Sequence, residues 1–364
     1  MTLKNILSIL SFLFIAVACS MEDEALPSSD TETSVEAQEV MVNVNLAMNG
    51  ISTKGEALDD GNVAPAGKES VVSSAVVALV NAEGNIMMIR DAVSQIDSDN
   101  TLKDVKFLAK VADGVKAIAI VNTQKASDYL NCRTLTDLNT VLETTANQEY
   151  LVKVGEKNDI FKDYNEGKTS TKDLNTLNIE IPVTQLAARV DLMGIKYTKE
   201  SVESEINSVK IISAQLINVN NNSLVYNTQN NTMSGLEAAI NTKSNGRSET
   251  LNIDLQESEW SGNDPYAAEV GKSLYTDYSY TNTTVDSPVK IQITYSVNGE
   301  APKTVDVTID NGSVKAGNLY RLYIGMKVKN NEIKTEVVCY TKDWIKENIN
   351  IEIRLKRILK LHRN

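Results

Sequence analysis

Residue types that commonly carry catalysis are scarce in this chain of 364 residues. The only histidine is His362, close to the last residue, and a frayed chain end cannot hold a general base in fixed geometry. Cys132 and Cys339 lie far apart in the sequence, and there is no CxxC pair or disulfide framework. The sequence therefore argues against histidine-dependent catalysis and histidine-based zinc sites, and we expect no cofactor and no enzymatic activity.

Two further patterns also fail as chemical sites. Asp97, Asp99 and Thr101 have the spacing that opens a calcium loop, but the sixth position is Leu102 instead of glycine, so a solvated turn is favoured. Cys132 has neither a second cysteine nor a histidine beside it, which favours a structural, half-buried thiol.

One aromatic residue leaves two alternatives open. Trp260 lies in a polar loop, residues 257–266, where its ring could stack on a sugar or simply pack against the protein. Because only 5% of the residues are aromatic, simple packing is favoured.

The third cysteine, Cys19, lies at the end of an N-terminal leader. Lys4 precedes an apolar run, residues 6–17, that is too short to span a bilayer, which predicts a secretory signal over residues 1–18. The ending Ala16-Val17-Ala18-Cys19 resembles a lipoprotein leader, although Ala16 stands where leucine is usual. The resemblance implies that Cys19 is lipidated and becomes the mature N-terminus.

The residues after Cys19 predict a tether. Residues 19–38 are acidic, rich in Ser and Thr and poor in large apolar side chains, so they cannot bury enough surface to become ordered. Glu22, Asp23 and Glu24 are similar to the export signal of surface-exposed lipoproteins. We therefore expect a surface-exposed lipoprotein of the outer membrane, held in the lipid by its N-terminal anchor.

Composition limits the partners of the chain. Hydrophobic residues make up 42% and charged residues 23%, as in ordinary globular proteins. The formal net charge of −12 repels phosphate backbones, so nucleic-acid binding is not expected. The length predicts two domains.

Elements that could position a function are mainly strands. Val40, Val42, Val44, Leu46 and Met48 alternate with polar residues, which predicts a half-buried strand. Further strands are predicted over residues 71–80, 86–89, 106–111, 115–121, 175–184, 190–197, 206–219, 289–297 and 305–309, with a long hairpin over 320–339. One helix is predicted where Leu135, Leu138 and Leu142 share a face behind Thr134 or Thr136.

Short strands separated by turn residues indicate an all-β fold of β-sandwiches. We place the domains at residues 39–185 and 186–364, with the boundary near residues 183–188.

The C-terminal segment has the same alternating character as the first strand. Ile349, Ile351, Ile353 and Leu355 alternate with polar residues, Arg357 interrupts the series, and Leu359 and Leu361 resume it. Residues 349–355 are predicted to be a strand with one apolar face, paired either within the chain or elsewhere. Beyond Leu355 a strand and a short basic amphipathic helix remain equal alternatives.

Several of these segments resemble the fimbrillins, the type V pilins. The likeness rests on the strand at residues 40–48, the loop after it, the strand at residues 115–122 and the helix near Leu135. It continues through the TQLAARV stretch at residues 184–190, the hairpin beginning at residue 318 and the VVCYTKDW stretch at residues 337–344.

The resemblance implies two transthyretin-like β-sandwich domains and assembly by strand exchange. A trypsin-like protease would cut after the first strand, at Lys54 before Gly55, and remove the residues Val40, Val42, Val44, Leu46 and Met48. A strand from another subunit would then fill the groove that they leave. The alternating positions of the C-terminal segment are our candidate donor: Ile349, Ile351, Ile353, Leu355, Leu359 and Leu361.

Lys54 departs from the arginine that such proteases often prefer. Cleavage after Lys54, cleavage at another site and no cleavage therefore remain open, and an uncut chain would be a basal anchor. The expected function is a structural subunit of a surface fimbria that supports adhesion, with other fimbrial subunits as partners. The alternative is a non-polymerising surface lipoprotein that binds glycans.

Overall fold

The computed structural model describes residues 39–48, 69, 71–96, 102–144, 146, 150–164, 176–199, 206–225, 242–266, 271–329 and 332–343. Within these ranges, strands dominate and the α-helices are short, so the all-β fold predicted from the sequence is confirmed. No helix among the described residues is long and apolar enough to cross a membrane.

The first half of the protein, residues 39–185, contains one seven-stranded sheet. In sheet order its strands are β3 (Ile86–Asp91), β2 (Ala75–Val80), β5 (Lys116–Val121), β7 (Lys153–Lys157), β8 (Thr176–Gln185), β1 (Glu39–Met48) and β4 (Val105–Lys110). All neighbours are antiparallel except β1 and β8, which are parallel. The sheet curls until its two edges meet, because the Arg90 guanidinium of β3 lies 5.3 Å from the Phe107 ring centre of β4.

The second half, residues 186–343, contains two packed sheets. The larger one consists of β13 (Lys243–Ser244), β11 (Val219–Asn220), β16 (Tyr275–Tyr280), β9 (Ala187–Lys199), β19 (Asn318–Lys329) and β20 (Glu332–Asp343), with β15 (Ser261–Gly262) also paired to β9. The smaller one consists of β14 (Ser248–Leu255), β10 (Val209–Ile217), β17 (Lys290–Val297) and β18 (Lys303–Thr308). Their facing side chains form a single apolar core.

Two short helices follow β5. They are α1 (Ala126–Leu130) and α2 (Leu135–Leu138), and Thr134 caps α2 through a reciprocal capping box with Asp137. The predicted helix ends earlier than its apolar spacing suggested: Leu142 belongs to β6 (Leu142–Thr144), which pairs with β12 (Asn222–Leu224) of the second half. This pairing satisfies the backbone of residues 142–144 and so prevents another helical turn.

Three apolar clusters account for most of the buried side chains. One fills the curled first sheet, one fills the sandwich of the second half, and the third lies on the other face of the first sheet and includes Tyr278 and Tyr280 of the second half. The chain passes from β8 to β9 through Leu186 alone. We retain residues 39–185 and 186–364 as proposed domains, joined by a shared apolar contact.

Most of the predicted strands are present, with ends shifted by a few residues. Residues 71–74 precede β2, and the predicted strand over 206–219 divides into β10 and β11. Sequence reasoning missed β7, β14 and β16.

Candidate functional site: the β1 slot

The candidate site is the position that β1 occupies between β4 and β8, here called the β1 slot. Val42 lies opposite Phe107 of β4, in antiparallel register, and opposite Leu177 of β8, in parallel register. Both backbone edges of β1 are therefore paired within the first sheet. A strand taken out of this position would leave two facing rows of backbone groups without partners.

One face of β1 is part of the apolar core of the first half. Val40, Val42 and Val44 are fully buried, and Leu46 is partly buried against the same cluster. Burying three such side chains is worth roughly 5–9 kcal/mol before the cost of ordering the strand. The slot thus takes an apolar residue at every second position.

The opposite face of β1 carries polar contacts that fix its register. The Asn43 Nδ2 donates to Asp104 Oδ1 at 2.9 Å and to Asn178 Oδ1 at 3.0 Å. The backbone N–H of Asp104 donates to Asn45 Oδ1 at 3.1 Å. Because a shift by one residue would turn the apolar side chains outward, these contacts and the core select the same register.

The chain that follows β1 is anchored again at Glu69, independently of β1. Glu69 is fully buried, and its carboxylate accepts two hydrogen bonds from Arg189 Nη1, at 2.9 and 3.0 Å, and one from the Tyr278 hydroxyl at 2.6 Å. Its backbone carbonyl accepts a bond from Gln185 Nε2 at 2.9 Å. Residue 69 is therefore attached to β8, β9 and β16, and not to β1.

Buried charges surround this anchor. Arg189 Nε also donates to Asp191 at 2.9 Å. Burial lowers the pKa of Arg189, but the two carboxylates outweigh it and the net pKa is raised, so the guanidinium stays charged. Burial, then the carboxylate of Glu69, raises the pKa of Tyr278, which therefore keeps its proton and donates.

Lys153 joins the same region from β7. It is fully buried, and its ammonium donates to the carbonyls of Val71 at 3.0 Å and Leu151 at 3.4 Å. Burial lowers the pKa of Lys153 to about 7, and the charge of Glu69 opposes this shift.

Sequence reasoning missed this junction, defined here as Glu69, Lys153, Arg189, Asp191 and Tyr278. A signal was present, because Arg189 and Asp191 lie two residues apart within an apolar stretch and therefore share one face of a strand. A charged pair there predicts a buried ion pair. Its partner Glu69 lies 120 residues away and carries no periodic pattern.

Several predicted site residues lie outside the described part of the chain. These are Cys19, Lys54, Gly55, Ile349, Ile351, Ile353, Leu355, Leu359 and Leu361. Of the strand predicted to be removed, Val40, Val42, Val44 and Leu46 line the slot, and the backbone of Met48 ends β1. Their roles stay predictions.

Trp260 packs on the outer face of the second half. Its ring meets Tyr323 edge to face, with centres 6.1 Å apart, and the Lys196 ammonium lies 4.7 Å from its centre. The loop touches β9 so closely that a Cβ at Gly194 would lie 2.2 Å from the Asn263 carbonyl oxygen. This geometry is the packing alternative, with a cation on the ring where a sugar would stack.

Neither described cysteine has the surroundings of a reactive thiol pair. Cys132 is buried, and burial, followed by the charges of Asp137 and Asp128, raises its pKa. Cys132 and Cys339 form no disulfide. Among the described residues, no group of three His, Cys, Asp or Glu side chains could hold a metal ion.

Sequence comparisons find no match: no protein-family model and no curated protein matches the chain. Solved structures do match it in fold. A candidate cell adhesion protein from Parabacteroides distasonis superposes with a TM-score of 0.58 at 14% identity, over 84% of this chain and 97% of that one.

The fimbrilin of Porphyromonas gingivalis superposes with a TM-score of 0.51 at 11% identity, over 85% of this chain and 99% of that one. The chain has the fold of a fimbrilin. A candidate cell adhesion protein from Bacteroides eggerthii gives the same TM-score at 12% identity, over 86% of this chain and 98% of that one. The likeness to fimbrillins inferred from the sequence is thus confirmed at the level of the fold.

Proposed function

We propose that this chain is a structural, non-enzymatic subunit of a cell-surface fimbria, assembled by strand exchange through the β1 slot. The observation that carries the proposal is the placement of β1. It is an internal strand of its sheet and is paired on both sides, yet it is the first described element of the chain. A single cut between β1 and Glu69 would release it without breaking another connection.

Removal of β1 would expose an apolar groove that needs a replacement strand. Phe107 on β4 and Ile181 on β8, both fully buried, would lose their β1 neighbours. The exposed backbone groups and apolar side chains favour any extended segment with an apolar residue at every second position. We propose cleavage between Lys54 and Gly55 by a trypsin-like protease, within residues 49–68.

The proposed donor is the C-terminal segment of another subunit. Its apolar residues Ile349, Ile351, Ile353 and Leu355 repeat the spacing of Val40, Val42, Val44 and Leu46. If the donor runs in the direction of β1, its polar side chains alternate on the outer face in the same way as those of β1. Leu359 and Leu361 would extend the contact beyond Met48.

Charge supports this alignment of the donor. Glu352 would take the place of Asn43, opposite Lys106 of β4, and Arg354 the place of Asn45, opposite Glu180 of β8. Each substitution puts opposite charges in a cross-strand pair, worth about 0.2–1 kcal/mol. A donor in the reverse direction would lose this matching.

The anchor and the location follow from the leader. We propose that Cys19 is lipidated and holds the precursor in the outer membrane before cleavage. An uncut chain would keep β1 and serve as a basal anchor, because its slot would stay filled. Partners would then be other fimbrial subunits, the protease and outer-membrane lipid.

The test is polymer formation by the full chain after treatment with a trypsin-like protease. The unsubstituted chain should form ladders that survive mild detergent and disappear on boiling. Ile351→Asp should abolish the ladder, since a carboxylate would enter the core of the neighbour. The matched control is Asn350→Asp, which changes the opposite face and should leave the ladder.

Three results would contradict the proposal. One is an unchanged ladder after deletion of residues 349–364. Another is an equal loss of the ladder in both variants. The third is a mature chain that stays monomeric and retains β1 and both ends of its own sequence in its own sheets.

A further inference from the structure

The second half has an open sheet edge at β20. In the described part of the chain, β20 pairs with β19 along twelve residues, from Glu332 to Asp343, and no strand pairs with its other side. An edge of this length attracts pairing with other strands unless something covers it.

The side chains of β20 show the same incompleteness on the inward face. Ile333 and Cys339 pack only partly against the core of the second half, and Val337 is 36% exposed. Their partners on β19, Val328, Leu322 and Ile324, are fully buried. The apolar row therefore lacks a neighbour on its outer side.

We propose that the C-terminal segment of the same chain covers this edge before assembly, as the next strand of the sheet. Five residues, 344–348, separate Asp343 from Ile349, a length at which antiparallel hairpin loops are common. The identification of this segment as the donor rests on the proposed function; its pairing with β20 rests on the features of the edge itself.

The register of this hairpin follows from the spacing. With residue 343 opposite 349, Cys339 lies opposite Ile353, Val337 opposite Leu355 and Ile333 opposite Leu359. Each half-buried apolar residue of β20 thus gains an apolar neighbour. An odd number of loop residues is what places both apolar rows on the same face.

The interruption in the apolar series supports the same register. Arg357 falls opposite Thr335, a polar residue in the inward row of β20, so the break in the donor matches a break in the edge. On the outer face Lys356 falls opposite Glu336, whose carboxylate already pairs with Lys327. A shift by two residues would instead place Arg357 opposite Val337.

The consequence is that one strand has two alternative partners. Paired with β20, it is unavailable to another subunit and protects the edge from random association. The β1 slot of a cleaved subunit can bury the same apolar row on both of its sides, whereas β20 offers only one. Transfer from β20 to the slot is therefore favourable and is delayed until a slot is open.

The experiment uses the native thiol of Cys339 in the full, uncut chain. Ile353→Cys should form a disulfide with Cys339 under mild oxidation, because directly opposite residues have Cβ atoms about 4.5–5.5 Å apart. The matched control is Glu352→Cys, whose thiol would face the other side of the sheet. After trypsin digestion without reductant, mass spectrometry should find peptide 335–342 joined to peptide 347–354 only for Ile353→Cys.

The linked species must run as a monomer. Oxidation of I353C should also reduce polymer formation at least tenfold after protease treatment, and reductant should restore it. The proposal is overturned if I353C gives no intramolecular link, or if E352C links equally well. A polymer ladder formed by reduced I353C would show that the strand exchange itself survives such a failure.

Discussion

Each half of the molecule contains one parallel strand pair, and the two pairs differ in how the chain enters them. In the first half β1 runs parallel to β8 and antiparallel to β4. In the second half β19 runs parallel to β9 and antiparallel to β20. Both inserted strands have fully buried side chains, Val42 in β1 and Ile324 in β19.

Connectivity, and not packing, distinguishes these two strands. β19 is joined to β20 by the short turn at residues 330–331 and to the rest of the second half at its other end. β1 is joined to the described chain only through residues 49–68. A cut can therefore turn β1 into an exchangeable part, whereas β19 stays fixed by its hairpin.

The largest effect should come from cutting these two connections. A chain that begins at Gly55 lacks β1 and should lose the cooperative unfolding of the first half, unless a peptide of residues 39–48 is added. A protease site placed at residues 330–331 should leave the cut protein folded, because β19 remains paired on both sides. Size-exclusion chromatography and thermal unfolding measure both outcomes. Equal damage from the two cuts would contradict the comparison.

Substitutions in the two cores should have a smaller effect. Phe107→Ala and Ile324→Ala each remove a fully buried side chain and should lower the free energy of unfolding by about 3–5 and 2–5 kcal/mol. Denaturant titration measures these losses. Only Phe107→Ala should also lower the temperature at which polymers dissociate, since Phe107 faces the strand in the slot. If both variants weaken polymers equally, the slot is not the assembly site.

The smallest effect concerns Lys153, whose environment does not include β1. Its pKa is lowered to about 7 in the folded protein, so the unfolded chain binds more protons between pH 7 and about 10.4, and stability should rise with pH in that window. Lys153→Met should remove this rise, which amounts to at most about 1.4 kcal/mol per pH unit. Denaturant unfolding at pH 6 to 10 measures it, in chains with and without β1.

Lys116→Met is the control for this measurement, because its partly exposed side chain lies on the neighbouring strand β5. A parallel pH dependence of the unsubstituted chain and Lys153→Met would show that Lys153 is not charged against a penalty. A pH slope that depends on the presence of β1 would contradict the separation of the junction from the slot.

The sequence predicted those strands whose two faces differ. Val40, Val42 and Val44 alternate with polar residues because one face of β1 meets the core and the other faces Asp104 and Asn178. β16 escaped detection because both of its faces are covered: Tyr275, Tyr278 and Tyr280 are all buried and follow no simple period.

Contacts between distant segments could not be predicted from local patterns. β6 and β12 form a pair across the two halves, and its three residues per strand are too few to give a periodic signal. The ion pair of Glu69 and Arg189 depends on tertiary packing in the same way. The leader, the Lys54 position and the donor segment stay predictions, because they lie outside the described residues.

The passage from β8 to β9 through Leu186 has a mechanical consequence. β8 borders the slot, and β9 lies at the centre of the larger sheet of the second half. Tension applied to a strand docked in the slot would therefore run along β8 into β9, parallel to both strands. Ladders loaded along their strands resist by breaking many hydrogen bonds together, so this continuous line would let a non-covalent fibre withstand shear at a cell surface.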